Sequence, residues 1–153
     1  MKNLMIIVMM ASFLYSCQDS EKKYSEIDVD TIEFFNYKGE KISKKEIIEE
    51  WNTRIQKNEK LNVTVENIEV NYLKDESTSE EKIVLIGNTN QNSTKTATEL
   101  VEHENGLKLS DRVATCSNCE HNVLNMGIKE GFWYCKNSKE NPDCTKISTL
   151  EYD

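Results

Sequence analysis

The sequence predicts an α+β domain: one N-terminal helix packed on an antiparallel β-sheet meander, with a small disulfide-stapled module at the C-terminal end. Three observations lead there. Residues 44–57 repeat apolar side chains at helical spacing, the segments between 61 and 115 alternate with period two, and four cysteines crowd into residues 116–144.

The elements follow in chain order. Ile32, Phe34, Phe35 and Tyr37 give a short strand composition that stops at a Lys38-Gly39 turn. Ser43 with Glu46 forms a capping box and Ile42 with Ile47 a hydrophobic staple, so a helix is expected over 44–57. Ile47, Ile48, Trp51 and Ile55 fall on one face, with Trp51 as the large anchor against the sheet. Glu50 and Arg54 are placed as an i,i+4 pair on the outer face.

Leu61, Val63 and Val65 occupy odd positions and Ile68, Val70 and Tyr72 even ones, which requires a bulge or bend near Glu66-Asn67. Ile83-Val84-Leu85-Ile86 is a continuous apolar run, the mark of a central strand, between polar loops at 75–81 and 87–94. Asn105-Gly106 is a strong hairpin signal, because both residues tolerate the positive φ of a type I′ turn. A two-residue loop there sets residue i opposite 211 − i. Glu99 then faces Arg112, on the side of His103 and Lys108, while Leu100, Leu107, Leu109 and Val113 point to the core. In that register His103 lies on the opposite face from Glu102 and Glu104, so the three make a solvated hairpin end and not an acid–base site. Residues 131–135 form an aromatic strand, with Phe132 and Tyr134 on one face and Trp133 on the other, and residues 145–152 the last strand. Trp133 or Tyr134, exposed beside a cross-linked loop, is the expected binding spot.

Cys116, Cys119, Cys135 and Cys144 have the spacing C-x2-C-x15-C-x8-C. Two disulfides are the expectation for an exported chain, with three possible connectivities. A last strand antiparallel to 107–115 would favour 116–144 with 119–135. The alternative is a metal- or small-ligand-binding site: Cys116 and Cys119 make a good half of a zinc site, and His121 is a further ligand candidate, but Cys135 and Cys144 are too widely spaced for a zinc ribbon. A thioredoxin-like redox role lacks its βαβ context.

The chain begins with a leader. Lys2 supplies a positive charge, residues 4–14 (LMIIVMMASFL) are apolar yet too short to span a bilayer, and Leu14-Tyr15-Ser16-Cys17 follows. This tetrad resembles the lipobox of bacterial lipoproteins. The resemblance implies that Cys17 receives a diacylglyceryl thioether, that a type II signal peptidase removes residues 1–16, and that the membrane is the first partner. Residues 17–26 would be the lipidated cysteine and a polar tether, and 27–153 a single domain. Asp19 and Glu21 loosely resemble a surface-export signal of some Gram-negative bacteria, and Asp30-Thr31-Ile32 an O-glycosylation motif. The expected location is the cell envelope, lipid-anchored at the outer membrane on its periplasmic or its surface side. The cysteine-rich end is similar to small secreted bacterial proteins without assigned activity, and implies no functional residues.

Composition narrows function further. The net charge is −8, and 63–115 holds ten acidic against five basic residues, so nucleic acid is an unsuitable partner. An acidic sheet face would suit a basic protein partner. No GxSxG, HExxH, P-loop or glycine-rich dinucleotide turn occurs. No catalytic residue and no cofactor are assigned, and the expectation is a non-catalytic interaction domain: an inhibitor, an immunity-type protein or an adaptor.

Overall fold

The computed structural model describes residues 28–119, 126–136 and 141–150. The signal segment, Cys17, the tether, His121 and Tyr152 lie outside them. The described chain is a mixed α+β structure with one helix, a curled sheet in which antiparallel pairs dominate, and two disulfides in the C-terminal region.

After a 3-10 turn at Val29–Thr31 come β1 (Phe34–Phe35) and β2 (Lys41–Ile42), joined through Gly39 at φ +87°. Helix α1 (Lys44–Lys57) starts where the capping box places it. Ser43 accepts from the Glu46 amide at 3.2 Å, and the Glu46 carboxylate accepts from the Ser43 amide at 2.8 Å. The Ser43 hydroxyl also donates to the Glu46 carboxylate at 2.6 Å, and this bond, followed by that from the Ser43 amide, holds the Glu46 carboxyl below its ordinary pKa.

Four strands then run as an antiparallel meander: β3 (Val65–Lys74), β4 (Glu81–Thr89), β5 (Lys95–His103) and β6 (Gly106–Ser117). The register of β3 slips between Val65 and Asn67, where the apolar alternation changes parity. A separate hairpin, β7 (Met126–Lys129) with β8 (Phe132–Cys135), precedes β9 (Thr145–Leu150), which returns antiparallel to β6. The main sheet runs β2-β1-β6-β5-β4-β3, with β9 on the same edge of β6 as β1. It departs from a purely antiparallel meander, because β1 pairs with β6 in parallel.

The sheet is buried on both faces. Ile47, Trp51 and Ile55 of α1 pack on Val65, Ile68, Leu85, Leu107 and Val113. On the other face Val84, Ile86, Ala97 and Ala114 pack against Met126, Ile128, Trp133 and the cystines. Consecutive residues of β4 therefore enter opposite cores, which explains its unbroken apolar run. This corrects the expectation of one open acidic sheet face. Much of that face is covered by β7 and β8, and Glu66 and Glu69 lie exposed on β3 at the end of the sheet.

Arg54 is also not on the outer face. It is 4 % exposed and forms an ion pair with the buried Glu59. Its guanidinium also donates to the hydroxyls of Thr96 at 2.8 Å and Thr115 at 3.3 Å. The helical wheel cannot anticipate this, because the partners lie beyond the helix end and on two strands.

Candidate interaction site

The β5–β6 hairpin forms, but its turn is displaced. His103 pairs with Gly106, so Glu104 and Asn105 make the loop, and Glu104 takes the positive φ (49°). Gly106 is required for a different reason: a Cβ there would lie 2.1 Å from the Glu33 carbonyl oxygen, where β1 crosses onto β6. Near the turn Leu100 faces Leu109. Past a bulge Thr98 faces Val113 and the expected pairing returns. One residue of β5, Glu99, thus spans three of β6: Ser110, Asp111 and Arg112. The slip is even, so every side chain keeps its face, and Leu100, Leu107, Leu109 and Val113 are buried as expected.

This bulge positions the candidate site. The edge of β6 pairs with β1 at Leu107 and Lys108, and with β9 from Arg112 onward. Between the two partners the strand bends, as bulged strands do. A cavity opens on each side of the bend, and the two share Ser110 and Val113. The one on the helix side, about 470 Å³, is lined by Tyr37, Lys38, Trp51 and Arg54 among others. The groove on the opposite side, about 600 Å³, is bounded by Val101, Phe132 and Leu150. These are the three large apolar side chains that stand exposed among the described residues, at 49 %, 63 % and 41 %.

Glu99 and Asp111 line the groove with Arg112 and Lys146. Burial raises the pKa of Glu99, against the opposing pull of Lys82 and Arg112. The Lys146 ammonium donates to the Trp133 carbonyl at 2.7 Å, fixing β9 to β8.

The aromatic assignment needs correction. Trp133 is buried in the cystine core, because its strand position faces the sheet. Tyr134 is half-buried, its hydroxyl bonded to Glu76, and burial followed by that carboxylate pushes its pKa up to about 12. The exposed member of the strand is Phe132. Alternation separated Trp133 from its neighbours but could not say which face the sheet would cover.

The cysteines pair as 116–135 and 119–144, not in the nested order. The reason is register. β9 pairs Ser117 with Thr145 and Cys116 with Lys146, so Cys144 lies past the end of the ladder, beside Cys119. Cys116 sits within the strand, facing β8 and Cys135. The sulfurs of Cys119, Cys135 and Cys144 all lie within 4.8 Å of one another, so the two bridges form one buried cluster.

Asp75 anchors the turn of the β7–β8 hairpin. Its carboxylate accepts from the Gly131 amide at 2.7 Å and the Glu130 amide at 3.2 Å, and from Ser77 and Thr78 in its own loop. The Gly131 bond leads in holding its pKa below the usual carboxylate value. Sequence reasoning missed this residue, which sits in a polar loop with no local signal of a partner 56 positions away.

His103 stacks edge-on against Phe35 at 4.7 Å, a packing role at the hairpin end. Thr31 of the glycosylation-like tripeptide lies on the surface, its hydroxyl donating to the Asp28 carbonyl. No described helix is long and apolar enough to cross a membrane. Comparison with protein-family models, with curated proteins and with solved structures finds no match to this chain.

Proposed function

We propose that this chain is a lipid-anchored, extracytoplasmic interaction domain of a bacterial envelope, held at the outer membrane through Cys17 and without catalytic activity of its own. The single observation behind this reading is the apolar leader ending in Leu14-Tyr15-Ser16-Cys17. Two bridged cystines are consistent with an oxidising compartment. The helix packed on the sheet and the stapled C-terminal module give a rigid body from which the bulge of β6 and its two cavities can engage a partner. The overall charge of −8 suits a basic protein for the acidic parts of the surface, such as Glu66 and Glu69.

Intact-protein mass spectrometry of native material, with and without reductant, tests the reading. The expected result is a chain beginning at Cys17, heavier by its acyl groups, that gains four hydrogens on reduction. An unacylated chain retaining residues 1–16 overturns it. A second reading, a metal-binding lipoprotein, draws on the proximity of Cys119, Cys135 and Cys144. It requires free thiolates, so native protein holding four thiols and a stoichiometric metal would favour it.

A further inference from the structure

We propose that the two cystines form one thiol–disulfide exchange centre: a single reduction lets the surviving bridge move among Cys119, Cys135 and Cys144 and leaves Cys116 as the freed thiol. The sulfurs of Cys119, Cys135 and Cys144 all lie within 4.8 Å of one another, although Cys135 is bridged to Cys116 and the other two to each other. Cys135 and Cys144 also interlock. The Cys135 Sγ is 3.6 Å from the Thr145 carbonyl oxygen, and the Cys144 Sγ is 3.6 Å from that of Lys136. All three stand at the ends of their elements: Cys119 past β6, Cys135 last in β8, and Cys144 just before β9. Cys116 differs, since it sits within β6, opposite Lys95 of β5 and Lys146 of β9. Directly opposite residues share a face, so two lysines flank it on the cystine side. Each ammonium bonds a neutral acceptor, the Asn88 side chain for Lys95 and the Trp133 carbonyl for Lys146. Nearby cations favour the departure of a sulfur as thiolate, which makes Cys116 the natural leaving group.

A dithiol reductant supplies the two electrons. Its thiolate attacks the Cys119–Cys144 bridge, its second thiol closes it to a cyclic disulfide, and both cysteines are released as thiols. The Cys119 or Cys144 thiolate then attacks the Cys135 Sγ. A bond to Cys135 forms, the Cys116–Cys135 bond breaks, and the electron pair leaves on Cys116. If the Cys116–Cys135 bridge opens first, the Cys135 thiolate attacks Cys119 or Cys144, and Cys116 is again free. All four cysteines are buried, so the external step waits on local opening of the short β7–β8 hairpin. The second step is intramolecular and needs no further reagent. Reduction of either bridge therefore removes the same tie, the one that holds β8 on β6.

The test uses the full chain carrying Cys17→Ser with both bridges formed, so its outcome does not depend on lipidation. It is treated with limiting dithiothreitol, trapped with N-ethylmaleimide at acid pH, and mapped by peptide mass spectrometry. One-bridge chains should include Cys119–Cys135 or Cys135–Cys144, with Cys116 labelled in each. Adding Cys116→Ser leaves Cys135 as the single free thiol, and the same two pairs should then appear beside Cys119–Cys144 without any reductant. One-bridge chains holding only the two native bridges overturn the proposal, as does Cys119–Cys144 alone in the Cys116→Ser chain. Non-native bridges that include Cys116 overturn it too, because they report general unfolding and not exchange within the cluster.

Discussion

The two faces of the sheet are covered by different means. On one side a fourteen-residue helix lays Ile47, Trp51 and Ile55 onto aliphatic side chains from nearly every strand of the sheet. On the other side, among the described residues, the cover is two four-residue strands, and four of the eleven buried residues in that core are cysteines. A helix of about four turns with an apolar stripe can bury enough surface to hold itself in place. A four-residue hairpin cannot, since an isolated two-stranded hairpin is marginal in water. The cystine face therefore relies on covalent bridges and on the Asp75 carboxylate, which ties the turn of the β7–β8 hairpin to the loop after β3. Where secondary structure is too short to supply a core, cross-links and directed polar contacts take its place.

The largest expected effect comes from removing the bridges. They close sequence separations of 19 and 25 residues. Each should contribute about 3 kcal/mol in the chain-entropy account. Replacing all four cysteines by alanine should release β7 and β8 first, with amide protection falling there while α1 and β3 stay protected. Simultaneous loss on both faces, measured by hydrogen exchange, would break the distinction.

Next is the buried ion pair under the helix. Glu59→Leu leaves the Arg54 guanidinium buried without its carboxylate and should cost about 3–5 kcal/mol in denaturant unfolding. Adding Arg54→Met should recover most of it, because replacing a whole buried pair with apolar groups is near neutral. A double variant as weak as the single one would show that Thr96 and Thr115, which both accept from Arg54, matter more than Glu59.

The smallest effect is read in acid. The folded pKa of Asp75 is depressed, so its contribution is complete above the ordinary carboxylate value near 4 and is lost as pH falls through the lower folded value. Asp75→Asn should lower stability at neutral pH and flatten the loss of stability below pH 4. An unchanged acid slope would remove Asp75 from the account of the cystine face.

Much of the framework was legible from local pattern. The capping box at Ser43 and the apolar stripe through Trp51 set the helix bounds. The parity change after Val65 located the bulge in β3. The hairpin was legible as well, but not its register, since Gly106 is fixed by the Glu33 carbonyl crossing above it and not by the turn. Of the candidate site, the even cysteine count was legible and the pairing was not. Connectivity depends on where the β6–β9 ladder ends, which is a tertiary event. Phe132 was visible as part of an aromatic strand, but only the docking of β8 buries Trp133 and leaves Phe132 out.

The sequence by itself determined periodicities, caps, breaks and an even number of cysteines within the domain, because each depends on interactions a few residues apart. The tertiary structure alone decided that both faces of the sheet are buried, that Arg54 turns inward to Glu59, and that the bulge of β6 opens a groove beneath Val101, Phe132 and Leu150. Each of these joins side chains from segments distant in the chain. Their proximity is fixed by strand order and register, which no local pattern encodes.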